Sequence, residues 1–161
     1  MDQTGLIVMV CTGNTCRSPM AAGLLAHALD AETGPLHDFR VVSAGVAAQS
    51  GAPASANSVS AMRSVGLDIS DHQSQPLTEE LVSEAAAIFV MTDTHRAIIQ
   101  ASFEPEPRHV YLLREFMPPE ADKDVADPYG GPLRLYETCR DEIVESIPSI
   151  VRFLRENVPT E

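Results

Sequence analysis

Five consecutive apolar residues, Leu6-Ile7-Val8-Met9-Val10, run without a polar interruption and stop at Cys11. A strand with one wet face alternates apolar and polar residues; one covered on both faces does not, so this run reads as the inner strand of a parallel sheet. Parallel neighbours need crossover connections, usually helices, which commits the chain to an α/β architecture. The continuation agrees. After a loop, Ser18-Pro19 reads as an N-cap with proline at the first helical position, and Met20, Ala21, Leu24, Leu25 and Ala28 form a helical apolar face.

The alternation then repeats. Residues 39–42 read as a second strand running into Ser43-Ala44-Gly45. A helix is expected over 54–65, with Val59, Met62 and Val65 toward the core and Gly66 as its stop. Thr78 caps a short helix that opens with Glu79 and Glu80, residues 87–91 form a third strand, and Thr92 caps a helix to about Ala101. Residues 109–113 give the fourth strand. A proline- and glycine-rich connection over 114–131 leads to a last helix whose apolar face is Ile143, Ile147, Ile150, Val151 and Leu154, with a kink or break expected near Ser146 because Pro148 lacks an N–H. The expectation is one domain over 1–161, a three-layer sandwich around a four-stranded parallel sheet, with its ligand site at the carboxyl ends of the strands, where Cys11 lies.

Composition narrows the function. At 161 residues and 44% hydrophobic, the chain can bury a core without disulfides. Its three cysteines, Cys11, Cys16 and Cys139, form neither a paired framework nor a CxxC or zinc pattern, so reduced thiols, no metal and no cofactor are expected. With 23 acidic against 11 basic residues and a net charge of −12, the surface repels nucleic acid and anionic membranes, and an anion must find a locally positive site. The sequence shows neither a long apolar span nor a secretory leader, so a cytoplasmic location is expected.

That positive site is legible in Cys11-Thr12-Gly13-Asn14-Thr15-Cys16-Arg17-Ser18. A cysteine six places before an arginine arises by chance roughly once in sixteen; between a buried strand and a helix start it means more. Backbone N–H groups from Thr12 onward can curl round an anion while the helix dipole adds positive potential. Gly13 and Asn14 tolerate the positive φ that inward-pointing amides need. A thiol in such a place favours the thiolate, which makes Cys11 a nucleophile; Arg17 offers a planar fork to two phosphoryl oxygens, and Ser18 can donate a hydrogen bond to the sulfur. Phosphoryl transfer through a phosphocysteine is the chemistry these residues suit.

The same residues, continued through Pro19-Met20-Ala21, resemble the active-site loop of the low-molecular-weight protein phosphatases. Ser43-Ala44-Gly45, Asp71-His72, Pro76-Leu77-Thr78 and Asp127-Pro128-Tyr129-Gly130-Gly131 are similar to that family in order and spacing. The resemblance implies a flavodoxin-like fold with the phosphate loop after the first strand, a cysteine-dependent phosphatase and a phosphorylated protein as substrate. It implies Asp127 as general acid, Asn14, Ser43 and His72 as supports of the loop, and Cys16 as a possible redox partner of Cys11. A monomer is expected.

Tyrosine-specific members of the family usually carry isoleucine before the second loop cysteine and two aromatics after Asp-Pro; here stand Thr15 and Tyr129-Gly130. That version is similar to bacterial protein-arginine phosphatases, with Thr15 and Tyr129 flanking the substrate, and implies phosphoarginine ahead of phosphotyrosine. An arsenate reductase would need relay cysteines, and the stretch 78–100 has none. A phosphocarrier module would not need Asp127.

Overall fold

β1 (Leu6–Cys11) is buried at every position, as its unbroken apolar run requires. In this computed structural model, which describes residues 5–157, β1 pairs in parallel with β2 (Arg40–Gly45) on one side and β3 (Ala85–Val90) on the other. β4 (Val110–Leu112) completes a sheet of order β2-β1-β3-β4. Ile7, Met9 and Cys11 enter one apolar cluster with α1 (Arg17–Asp30), Met62 of α2 (Ala56–Arg63) and the inner face of α5 (Leu133–Asn157). Leu6, Val8 and Val10 enter the other, with Val82 of α3 (Glu79–Glu84) and Ile99 of α4 (Asp93–Ser102). Helices therefore cover both faces of the sheet. Burying each such aliphatic side chain contributes roughly 1.5–3 kcal/mol, so neither face of β1 tolerates a polar residue.

The chain leaves β1 to build β2 on one side and then crosses to build β3 on the other. The carboxyl end of β1 is thus the point where the direction of winding reverses, and a crevice opens there. Cys11 is the last residue of that strand.

Thr78 and Thr92 cap α3 and α4 as expected, their side chains accepting from Leu81 N–H and His95 N–H. Four expectations need correction. Ser18 is not an N-cap: α1 begins at Arg17 behind Cys16, without a side-chain cap, because the Ser18 hydroxyl is engaged with Asn14 and Cys11. α2 is shorter than 54–65, and its buried residues are Ser58, Ala61 and Met62, while Val59 is half-buried and Val65, beyond the helix end, is exposed. The fourth strand is trimmed to its middle, with His109 and Leu113 outside it. α5 runs through Pro148 unbroken. The carbonyl that loses its N–H partner there is that of Val144, an exposed residue, so water can serve it.

Candidate active site

The loop between β1 and α1 is shaped by Asn14, fully buried, with φ at +60°. Its amide accounts for three hydrogen bonds: Nδ2 donates to Ser18 Oγ at 2.8 Å and to Ser43 Oγ at 2.9 Å, and Oδ1 accepts from Gln75 N–H at 2.9 Å. The Asn14 carbonyl lies 2.6 Å from His72 Nε2. The structure thus brings Ser43, His72 and Gln75 together on Asn14. Because Ser18 Oγ accepts from Asn14, its proton is free for Cys11 Sγ, 3.0 Å away. The alternative acceptor, Ala44 O, is more distant at 3.5 Å.

Gly45 lets β2 approach this close. A Cβ there would come within 2.5 Å of Thr12 O and 3.1 Å of Asn14 N. Without it, the segment after β2 ties directly to the loop, Val46 N–H donating to Cys11 O and Ala47 N–H to Thr12 O.

Arg17 is buried although charged. Its Nη1 donates to Val125 O at 2.8 Å and its Nη2 lies 3.7 Å from Asp127 Oδ2, while Nε is buried with no hydrogen-bond partner among the described residues. A buried N–H with nothing to bond is costly, and this one belongs to a cation at a helix start that lines the same cleft as the Cys11 thiol. Asp127 is half exposed, and its Oδ1 accepts from Tyr129 N–H at 3.1 Å, which fixes the turn after it. Tyr129 itself is 77% exposed. Cys11, Thr12, Gly13, Thr15, Cys16, Arg17, Asp127 and Tyr129 together line a cleft of about 240 Å³. The loop and the distant Asp127–Tyr129 turn, separate in sequence, share that one cleft.

Cys16 is buried, its Sγ 3.6 Å from Ser55 Oγ and 3.7 Å from the hydroxyl of Tyr136. Burial, reinforced by the Cys16 contact, raises the Tyr136 phenol above its usual value. Cys139 sits under the site, and burial pushes its thiol up to about 12, the range of an inert core cysteine.

His95 escaped the sequence reading. It is buried at N3 of α4, with Nε2 2.9 Å from Thr12 Oγ1 and Nδ1 turned back to the Thr92 N–H. The signal that could have found it is the spacing Thr92-x-x-His95, which places a side chain able to fold back onto its own helix cap.

Parallel sheet, switch-point loop and the buried Cys11–Arg17 pair define a cysteine-dependent phosphatase of the α/β class. The family model described as low molecular weight phosphotyrosine protein phosphatase matches residues 6–160, and the chain belongs to that family. It is 36% identical over 155 residues to a protein-arginine-phosphatase of Geobacillus stearothermophilus, covering 96% of this chain and 97% of that one. It is 37% identical over 149 residues to a probable low molecular weight protein-tyrosine-phosphatase, EpsP, of Ralstonia nicotianae, covering 92% and 95%. Among solved structures, a YwlE arginine phosphatase carrying a phosphorylated active-site serine superposes with a TM-score of 0.87 at 35% identity, over 97% of this chain and 99% of that one.

Proposed function

We propose that this protein is a protein-arginine phosphatase working through a phosphocysteine on Cys11. The observation that carries the reading is the buried Arg17 Nε, unpartnered among the described residues, on a side chain that lines the same cleft as Cys11, with Nη1 already held by Val125 O. Nε and Nη2 are left as a fork that a phosphoryl group fits. In the first step the Cys11 thiolate attacks phosphorus, the P–N bond to the arginine side chain breaks, and Asp127 supplies the proton the leaving nitrogen takes. In the second, Asp127 removes a proton from water as the water attacks phosphorus; the P–S bond breaks, releasing phosphate and restoring the thiolate. The Ser18 hydroxyl steadies that thiolate in both directions, and Arg17 with the loop amides carries the phosphoryl charge.

Overall identity does not separate arginine from tyrosine, since relatives named for each stand at 36% and 37%. The preference for arginine rests on Thr15, a half-buried residue lining the cleft. Its hydroxyl can accept a guanidinium N–H where isoleucine would offer only methyl groups to a phenyl ring. Tyr129, exposed at the mouth, can stack on the planar group. The same reading has the enzyme act on phosphorylated proteins as a monomer in the cytoplasm, where thiols stay reduced and where peroxide, as two-electron acceptor, would join Cys11 and Cys16 in a protective disulfide.

The test is a paired assay of phosphoarginine and phosphotyrosine peptides. Arginine should turn over faster in the wild type, and Thr15→Ile should shift the ratio toward tyrosine. Faster tyrosine turnover by the wild type would overturn the arginine assignment.

A further inference from the structure

The side chain of Thr12 stands exposed at the rim of the Cys11 cleft, its hydroxyl 2.9 Å from Nε2 of His95. His95 is only 4% exposed. Its other nitrogen, Nδ1, faces the Thr92 backbone N–H at 3.3 Å and the Thr92 hydroxyl at 3.2 Å. A backbone N–H can only donate, so Nδ1 is an acceptor and the proton of the neutral ring resides on Nε2. That proton goes to Thr12 Oγ1, and the hydroxyl's own proton is left to point elsewhere. Burial first, and the nearby Arg17 charge second, lower His95 to about 4. The ring is therefore neutral at physiological pH, and Nδ1 keeps the lone pair that accepts from the Thr92 N–H.

We propose that His95 is a positioning residue which locks Thr12 as a hydrogen-bond donor to a phosphoryl oxygen of the bound substrate. The inference rests on the phosphatase reading above but not on the choice of arginine. Phosphoryl oxygens only accept and a guanidinium only donates, so a hydroxyl whose acceptor side is filled by Nε2–H is suited to the phosphoryl half of the substrate. Thr15 differs. Among the described residues its Oγ1 has only a 3.9 Å contact to Cys16 Sγ, which leaves it able to accept from the leaving group. The two threonines of one loop thus divide the substrate, Thr12 serving the group transferred and Thr15 the group released.

The experiment compares wild type, Thr12→Val, His95→Leu, the double variant and His95→Gln, whose Nε2 can still donate to Thr12. Each is assayed with a phosphoarginine peptide and with p-nitrophenyl phosphate, alongside inhibition by inorganic phosphate and urea midpoints to confirm folding. Thr12→Val and His95→Leu should each lower kcat/KM about tenfold, the scale of one hydrogen bond, by the same factor on both substrates and with correspondingly weaker inhibition by phosphate. The double variant should be no worse than His95→Leu, and His95→Gln should recover most of the loss. Full activity in Thr12→Val, multiplying losses in the double variant, or a folded His95→Gln no better than His95→Leu would each overturn the proposal. A wild type that hydrolyses p-nitrophenyl phosphate but not phosphoarginine would refute the arginine reading alone, because the Thr12 and His95 effects remain measurable on the aryl phosphate.

Discussion

Replacing Asn14 by alanine removes the one side chain that joins the loop to β2, to the segment around Gln75 and to Ser18. Three hydrogen bonds are lost in a fully buried place, at about 1 kcal/mol each, so about 3 kcal/mol goes with them. Alanine must also hold φ near +60°, which costs about 1 kcal/mol more for a residue with a Cβ and no local hydrogen bond to compensate. Asn14→Ala should therefore lose about 4 kcal/mol in urea unfolding, roughly 10 °C in Tm for a domain of this size. Asn14→Gly, free of the strain, should lose about 3 kcal/mol. In both, kcat/KM should fall further than folding alone explains, because Ser18 Oγ loses its donor and can turn its proton away from Cys11. If Asn14→Gly were as stable and as active as the wild type, the bracing attributed to the amide would be wrong.

Gly45→Ala should fold with a displaced loop, since its methyl would overlap the Thr12 carbonyl; kcat/KM should drop at least tenfold, and wild-type kinetics would refute the close approach. His95 titrates at about 4 in the folded chain against 6.5 unfolded, so between those values the unfolded state binds the extra proton. Stability from this group is complete above pH 6.5 and is lost as pH falls toward 4, by up to about 3 kcal/mol. Urea midpoints of wild type and His95→Gln should converge in that direction by this amount, and parallel pH profiles would contradict it.

The parts of the fold legible in the chain are those where local and tertiary demands coincide. The run 6–10 is apolar because both faces of β1 are covered, and Thr78 and Thr92 sit where their hydroxyls meet orphan N–H groups. Gly13 and Asn14 advertise an unusual backbone, and Asn14 adopts it. The misreadings arise where a distant partner overrides local preference. Ser18 has the chemistry of a cap, but Asn14 and Cys11 claim its hydroxyl. Pro148 ought to interrupt a helix, yet Ile147, Ile150 and Val151 bury against the core on either side of it, and the missing bond falls on the wet face. The Thr92-x-x-His95 spacing marks a helix cap, but nothing in it points to Thr12, which is 83 residues away and meets His95 only once β1 and β3 are neighbours.

The covalent intermediate on Cys11 can be trapped. Asp127→Asn mixed with p-nitrophenyl phosphate, whose leaving group needs no protonation, should form the P–S bond and then stall for want of a base to activate water. Acid quench and peptide mass spectrometry should find phosphate on Cys11, accumulating in Asp127→Asn, scarce in the wild type and absent in Cys11→Ala. Phosphate release by Asp127→Asn at the wild-type rate with no labelled Cys11, or label on another residue, would contradict the account.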